Sequence, residues 1–135
     1  MSSTTTTTAA AVAGAVTHAQ ILPDDGLVGT LVGRIWRPAA QPSERPDELP
    51  GPAVVALRPE GVFDLSQRFP TMSTLLDVPN PAQAVRETPG QRVCSVADLL
   101  ANSQLGARDS QRPWLLAPCD LQVVKAAGVT FAASL

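Results

Sequence analysis

"AVVALRPEGVFDL", residues 53–65, is the stretch on which the architecture of this chain turns. An unbroken aliphatic run is followed by Pro59, then by Glu60 and Gly61 as a tight turn, then by a second short apolar run. Strand, turn and strand at this spacing predict a β-hairpin or the centre of a meander.

Working upstream, "GLVGTLVGRIWRP" (residues 26–38) has β-branched and aromatic residues in near alternation. It predicts another strand, with Val28, Thr30, Val32, Arg34 and Trp36 on one side, Leu27, Leu31 and Ile35 among the rest, and Pro38 closing it. Between the two strands, residues 39–52 are rich in proline and charge without periodicity, which predicts an exposed loop. Gly29 and Gly33 match neither a phosphate-binding loop nor a dinucleotide fingerprint and are turn or packing positions in a strand.

Downstream the pattern becomes helical. Thr71 is a good N-cap for a helix of one or two turns whose apolar face is Met72, Leu75 and Leu76, stopped by Pro79. Asn80 followed by Pro81 starts a second short helix. Ser95 and Asp98 are spaced as a capping box for a third, with Val96, Leu99 and Leu100 facing inward. After a polar loop over residues 104–112, Trp114, Leu115 and Leu116 resume an extended run. Pro118 bends the chain, and residues 123–135 predict a last strand in which Gly128 marks a bulge or a close backbone approach.

Composition narrows the function classes. The 12 acidic and 10 basic residues give a net charge of -2 with no basic run, which argues against nucleic-acid binding. No stretch reaches the roughly 18–20 consecutive apolar residues that span a bilayer, so a membrane protein is not expected. Residues 1–20, "MSSTTTTTAAAVAGAVTHAQ", are too poor in bulky side chains to fold and are read as a low-complexity, disordered tail. The competing reading, a secretory signal, lacks any Lys or Arg ahead of its short alanine-rich core. The expected location is cytoplasmic, with Cys94 and Cys119 as small apolar core residues; a disulfide between them has nothing in its favour.

Nothing in the chain assembles into a catalytic constellation. His18 is the one histidine and lies in the tail. Lys125 is the one lysine and is read as a surface or edge-strand residue rather than a Schiff-base nucleophile. Asp64 and Asp120 are single carboxylates without a second oxygen ligand at short spacing, so no metal set is complete.

The segment "WLLAPCDLQVVKAAGVTFAASL" (residues 114–135) resembles the run with which the fumarylacetoacetate hydrolase family passes from its small N-terminal domain to its catalytic domain. It is most similar to the 2-keto-3-deoxy-pentonate (sugar-acid) dehydratases, which read L-L-A-P-x-D-L-Q and then K-A-A-G-V-T-F-A. "GRIWRP", "GPAVVALRPEGVFDLS", "PTMSTLL" and "SVADLLANS" follow the order of strands and short helices in that family's N-terminal domain.

The residue pattern predicts an α+β fold with a small domain at 21–117 built on the hairpin or meander and short capped helices; the tail at 1–20 falls outside the resemblance, which implies at 118–135 a hinge and the first, orphan strand of a truncated β-rich catalytic domain. The resemblance further implies a longer, homodimeric parent enzyme that holds one Mg2+ on a downstream Glu-x-Glu pair and a later Asp, and that acts on a 2-keto sugar acid. The cation would polarise the keto acid for elimination or C–C cleavage. The hydrolases of the family end this strand in G-x-N-Y-x-x-H; here residues 128–134 put Ser134 where they carry histidine, and a hydroxyl is no general base near neutral pH. Dehydration is therefore expected over C–C hydrolysis of a 2,4-diketo acid. The resemblance assigns Thr130 and Ser134 to substrate binding, with Phe131 as a packing wall, and assigns no catalytic residue or metal ligand to this chain. By itself the chain is expected to be inactive. The alternative is a stand-alone interaction module whose last strand pairs with a partner.

Overall fold

The computed structural model describes residues 21–39, 49–104, 106, 108–123 and 125. Five strands, β1 (Leu31–Arg37), β2 (Gly51–Arg58), β3 (Gly61–Asp64), β4 (Gln91–Cys94) and β5 (Trp114–Leu116), form one sheet in the order β4-β3-β2-β1-β5. Every neighbouring pair is antiparallel. Three short helices, α1 (Met72–Leu76), α2 (Pro81–Glu87) and α3 (Val96–Ala101), complete a small α+β fold.

The aliphatic run of β2 explains the layering. Ala53, Val54, Val55, Ala56 and Leu57 are each 7% exposed or less, so both faces of this central strand are covered. A strand covered on both faces reads as a continuous apolar run rather than an alternating one. On one face Ala53, Val55 and Leu57 pack with Ile35, Val62 and the α3 residues Val96, Leu99 and Leu100. On the other, Val54 and Ala56 pack with Leu65, Phe69 and the α1 and α2 residues Met72, Leu75, Ala84 and Val85. Each large aliphatic side chain buried this way stabilises the fold by roughly 1.5–3 kcal/mol.

The hairpin joins β2 to β3 through Pro59 and Glu60, with Arg58 opposite Gly61. Gly61 has φ 136°, and a Cβ there would lie 2.6 Å from the Cys94 carbonyl oxygen, so only glycine lets β4 approach. The three helix starts follow their caps: the side chains of Thr71, Asn80 and Ser95 accept from the backbone N–H groups of Thr74, Gln83 and Asp98. Arg58 fastens the end of α2 to the sheet, donating to the carbonyls of Val85, Thr88 and Pro89. A cation among the carbonyls at the C-terminal end of a helix is favourable.

Some expectations need correction. The first strand starts at Leu31, not near Gly26: Gly26 takes φ 66° in a turn closed by its N–H on the Pro23 carbonyl, and Val28 is 84% exposed. Leu76 does not share the buried face of Met72 and Leu75 but is 52% exposed, because the helical step of about 100° from the fully buried Leu75 carries it to the rim of the side that faces the sheet. Strand β4, "QRVC", has too few apolar residues to signal itself and forms because β3 offers a free edge. Cys119 is exposed rather than a core residue, since the bend at Pro118 turns it outward, while Cys94 is half-buried; both are free thiols.

The polar loop after α3 is more ordered than its composition suggests. Buried Asn102 brings its side-chain amide nitrogen to within 3.0–3.1 Å of the carbonyls of Asp109, Arg112 and Pro113, and its oxygen accepts from the Asp109 N–H. Ser103 accepts from the Leu115 N–H and so positions β5. No helix among the described residues is long and apolar enough to cross a membrane. The tail at 1–20, most of the 39–52 loop and nearly all of the last expected strand lie outside the described residues.

Candidate functional site

Two arginines on β1 organise the polar structure of the domain. Arg34 and Arg37 are an odd number of residues apart on one strand and so project to opposite faces of the sheet. Each meets one of the two aspartates weighed above as a metal ligand.

Arg34 stands opposite Leu116 of β5 in the sheet register. Its guanidinium donates to the carbonyls of Ala117, at 3.1 Å, and Cys119, at 2.5 Å, and so folds the chain leaving β5 around itself. Pro118, which has no N–H to lose, sits inside that bend. The bend delivers Asp120 to the Arg34 Nε at 3.5 Å, with the two side chains 15% and 9% exposed.

From there Asp120 reaches the start of α1. Its carboxylate accepts from the backbone N–H of Met72 at 2.5 Å, from the N–H of Ser73 at 3.2 Å and from the Ser73 hydroxyl at 3.0 Å. Helix α1 has no acidic residue in its own first turn, so a carboxylate from elsewhere in the chain supplies the charge its N-terminus favours. The Leu121 N–H adds a bond of 2.7 Å, and the Gln122 side-chain oxygen accepts from the Asp120 N–H at 2.6 Å.

These contacts define what Asp120 can do. Burial pushes its carboxyl pKa up, but the hydrogen bonds from Leu121, Met72 and Ser73 outweigh that and bring it down to about 2. A carboxylate so weakly basic, with its lone pairs already engaged, is a structural anchor rather than a general base. Where β1 pairs with β5, Trp36 stacks on Trp114, ring centroids 5.8 Å apart, with the Arg108 guanidinium 5.8 Å from the Trp114 ring.

On the opposite face Arg37 pairs with Asp64 at 2.5 Å. Asp64 also accepts from the Ser66 N–H at 2.7 Å and from the Ser66 hydroxyl at 2.5 Å. Among the described residues no group of three or more His, Cys, Asp or Glu could hold a metal ion. Asp64 and Asp120 are each engaged by an arginine, and the described part of the chain does not fit a Mg2+ site.

Thr130, Phe131 and Ser134, the expected substrate-binding residues, lie outside the described residues, as do His18 and Gly128. Lys125 is exposed. The residue pattern did not reveal the partnership of Arg34 with Asp120. Its one trace is a short capped helix without an acidic first turn, together with an aspartate just after a proline bend.

No protein-family model, no curated protein and no solved structure matches the chain.

Proposed function

We propose that this chain is the N-terminal portion of a fumarylacetoacetate hydrolase family protein whose parent reaction is metal-dependent dehydration of a 2-keto-3-deoxy sugar acid. In this reading residues 21–117 are the small domain, and the chain beyond Asp120 enters the catalytic part of a homodimeric enzyme. The described residues alone carry no turnover.

The observation that supports it is where the L-L-A-P-x-D-L-Q run falls. Its two leucines are Leu115 and Leu116 of β5, its proline makes the bend and its aspartate is the anchor on α1. Directly after that anchor, Leu121 and Val123 are 76% and 95% exposed. Large apolar residues left in solvent just past a fixed point suit a segment that continues into a second packed unit. Because the described residues hold no donor set for a divalent cation, no step through the metal is assigned to them. Thr130 and Ser134 would contribute hydroxyls toward the substrate, with Phe131 beside them as a wall.

The test is to assay 2-keto-3-deoxy-pentonate with Mg2+ using the purified 135-residue chain, and to read the coding sequence past the Leu135 codon. The expected result is no turnover by the chain, with continued coding for a Glu-x-Glu segment. Clear turnover by the chain alone would overturn the inactivity. A stop codon directly after Leu135 would favour the alternative, a stand-alone interaction module whose last expected strand, residues 123–135, pairs with a partner.

A further inference from the structure

A cleft of about 510 Å³ opens on the domain between the β3–α1 connection and the α2–β4 connection, with Arg37, Asp64, Gln67, Arg68, Thr88 and Gln91 among its lining residues. Its size falls within the roughly 300–1,000 Å³ of small-molecule sites, and the six residues just named bring polar or charged side chains to an otherwise largely apolar lining.

Among the described residues the charges in it do not cancel. Arg37 and Asp64 form an ion pair within the wall. Arg68 has no ion pair with a described carboxylate: its guanidinium lies 5.2 Å from the Phe69 ring and donates to the Thr88 hydroxyl at 2.9 Å. Thr88 is 8% exposed and gives its own proton to the Ala84 carbonyl at 2.6 Å, so its oxygen can only accept from Arg68. The wall behind it is held by Arg58, which donates to the Thr88 and Pro89 carbonyls. Arg68 is thus a cation held in place by a buried hydroxyl whose direction is set. Gln91, the register partner of Asp64, and Gln67 add amide groups that can donate or accept.

We propose that this cleft binds a small polar monocarboxylate, with Arg68 as its charge partner and Gln67 and Gln91 as hydrogen-bonding groups. A planar guanidinium matches a carboxylate through two parallel N–H bonds. Among the described residues Arg68 is the lining charge without an oppositely charged partner, and a single positive charge matches a monoanion rather than a dianion. The site lies on the small domain, uses none of residues 121–135, and does not depend on the parent reaction proposed above.

The experiment is an NMR titration of the full 135-residue chain with sodium lactate, with succinate and inorganic phosphate in parallel at constant ionic strength. Saturable shifts at the Thr88, Gly90 and Gln91 amides are expected with lactate at pH 8, and weaker binding with succinate and phosphate, both chiefly dianions at that pH. Arg68→Gln should weaken lactate binding by roughly tenfold or more, and Arg68→Lys, which keeps charge but not the fork, by a smaller factor. Arg86→Gln, on the exposed side of α2, should leave it unchanged. Absence of saturable shifts with lactate, equal binding by a folded Arg68→Gln protein, or tighter binding of phosphate would overturn the proposal.

Discussion

Arg34 and Asp120 lie 3.5 Å apart, Nε to Oδ2, across 86 positions of sequence, and this pair ties the chain leaving β5 to the N-terminus of α1. A strand residue, a proline bend and a helix start meet at one point, and each side of the contact satisfies groups the other would leave unpaired.

Replacing Asp120 by Ala should therefore loosen two elements together. The amides of Met72 and Ser73 lose their acceptor, and Arg34 keeps its two carbonyl acceptors but loses its carboxylate. The expected loss is about 2 kcal/mol, in the range of a lost cap combined with a charged hydrogen bond. Hydrogen exchange should quicken at Met72 and Ser73 but not at Val54 or Val55, buried in the central strand. Equal exchange at Met72 and Ser73 before and after substitution would show that the anchor stabilises nothing.

Acid should release the same anchor. The Asp120 pKa falls from its ordinary 3.8 to about 2 in the fold. Near pH 3 the unfolded chain therefore binds more protons at this position than the folded one. The stability that Asp120 contributes is complete above about pH 4 and is lost as pH falls through the folded value near 2. Between pH 4 and pH 2 the wild-type chain should lose stability more steeply than Asp120→Asn, measured by urea unfolding at each pH.

The two thiols should differ sharply in reactivity. Burial, with the Asp98 charge adding to it and Arg92 and Arg112 opposing, raises Cys94 from 9.0 to about 11, whereas Cys119 is exposed. A rise of this size leaves roughly a hundredfold less thiolate at neutral pH. At pH 8 one equivalent of Ellman's reagent should react quickly and map to Cys119, with Cys94 labelled only slowly or after unfolding. Rapid labelling of both would place Cys94 in a more open setting than the sheet gives it.

Leu75 and Leu76 are adjacent, and only the first is core. Leu75 is fully buried and Leu76 is 52% exposed. Leu75→Ala should cost about 2–5 kcal/mol by transfer and cavity formation, and Leu76→Ala about 0.5 kcal/mol or less. Comparable losses at both positions, read from thermal or urea unfolding, would return Leu76 to the buried face.

Much of the fold was legible in the residues. The five-residue aliphatic run at 53–57 marked a strand, Pro59 to Gly61 marked its turn, and Thr71, Asn80 and Ser95 marked three helix starts at their observed places. These features are local, because a cap or a turn is decided by bonds that span a few positions. The site was far less legible. Asp64 and Asp120 each stand alone in sequence, and what occupies them is an arginine 27 or 86 positions earlier. Arg68 gives no signal of its own, since only the fold brings Thr88 beneath it.

What the sequence by itself determined is the set of short elements, their caps and the face that most of them bury. Only the tertiary structure decided that β2 is covered on both sides, that the modest "QRVC" becomes an edge strand, and that Asp120 belongs to α1. The physical reason is range. Backbone preference and side-chain periodicity act over three or four residues, whereas coverage, edge pairing and ion pairing require segments distant in sequence to meet, and they meet only after the core has packed.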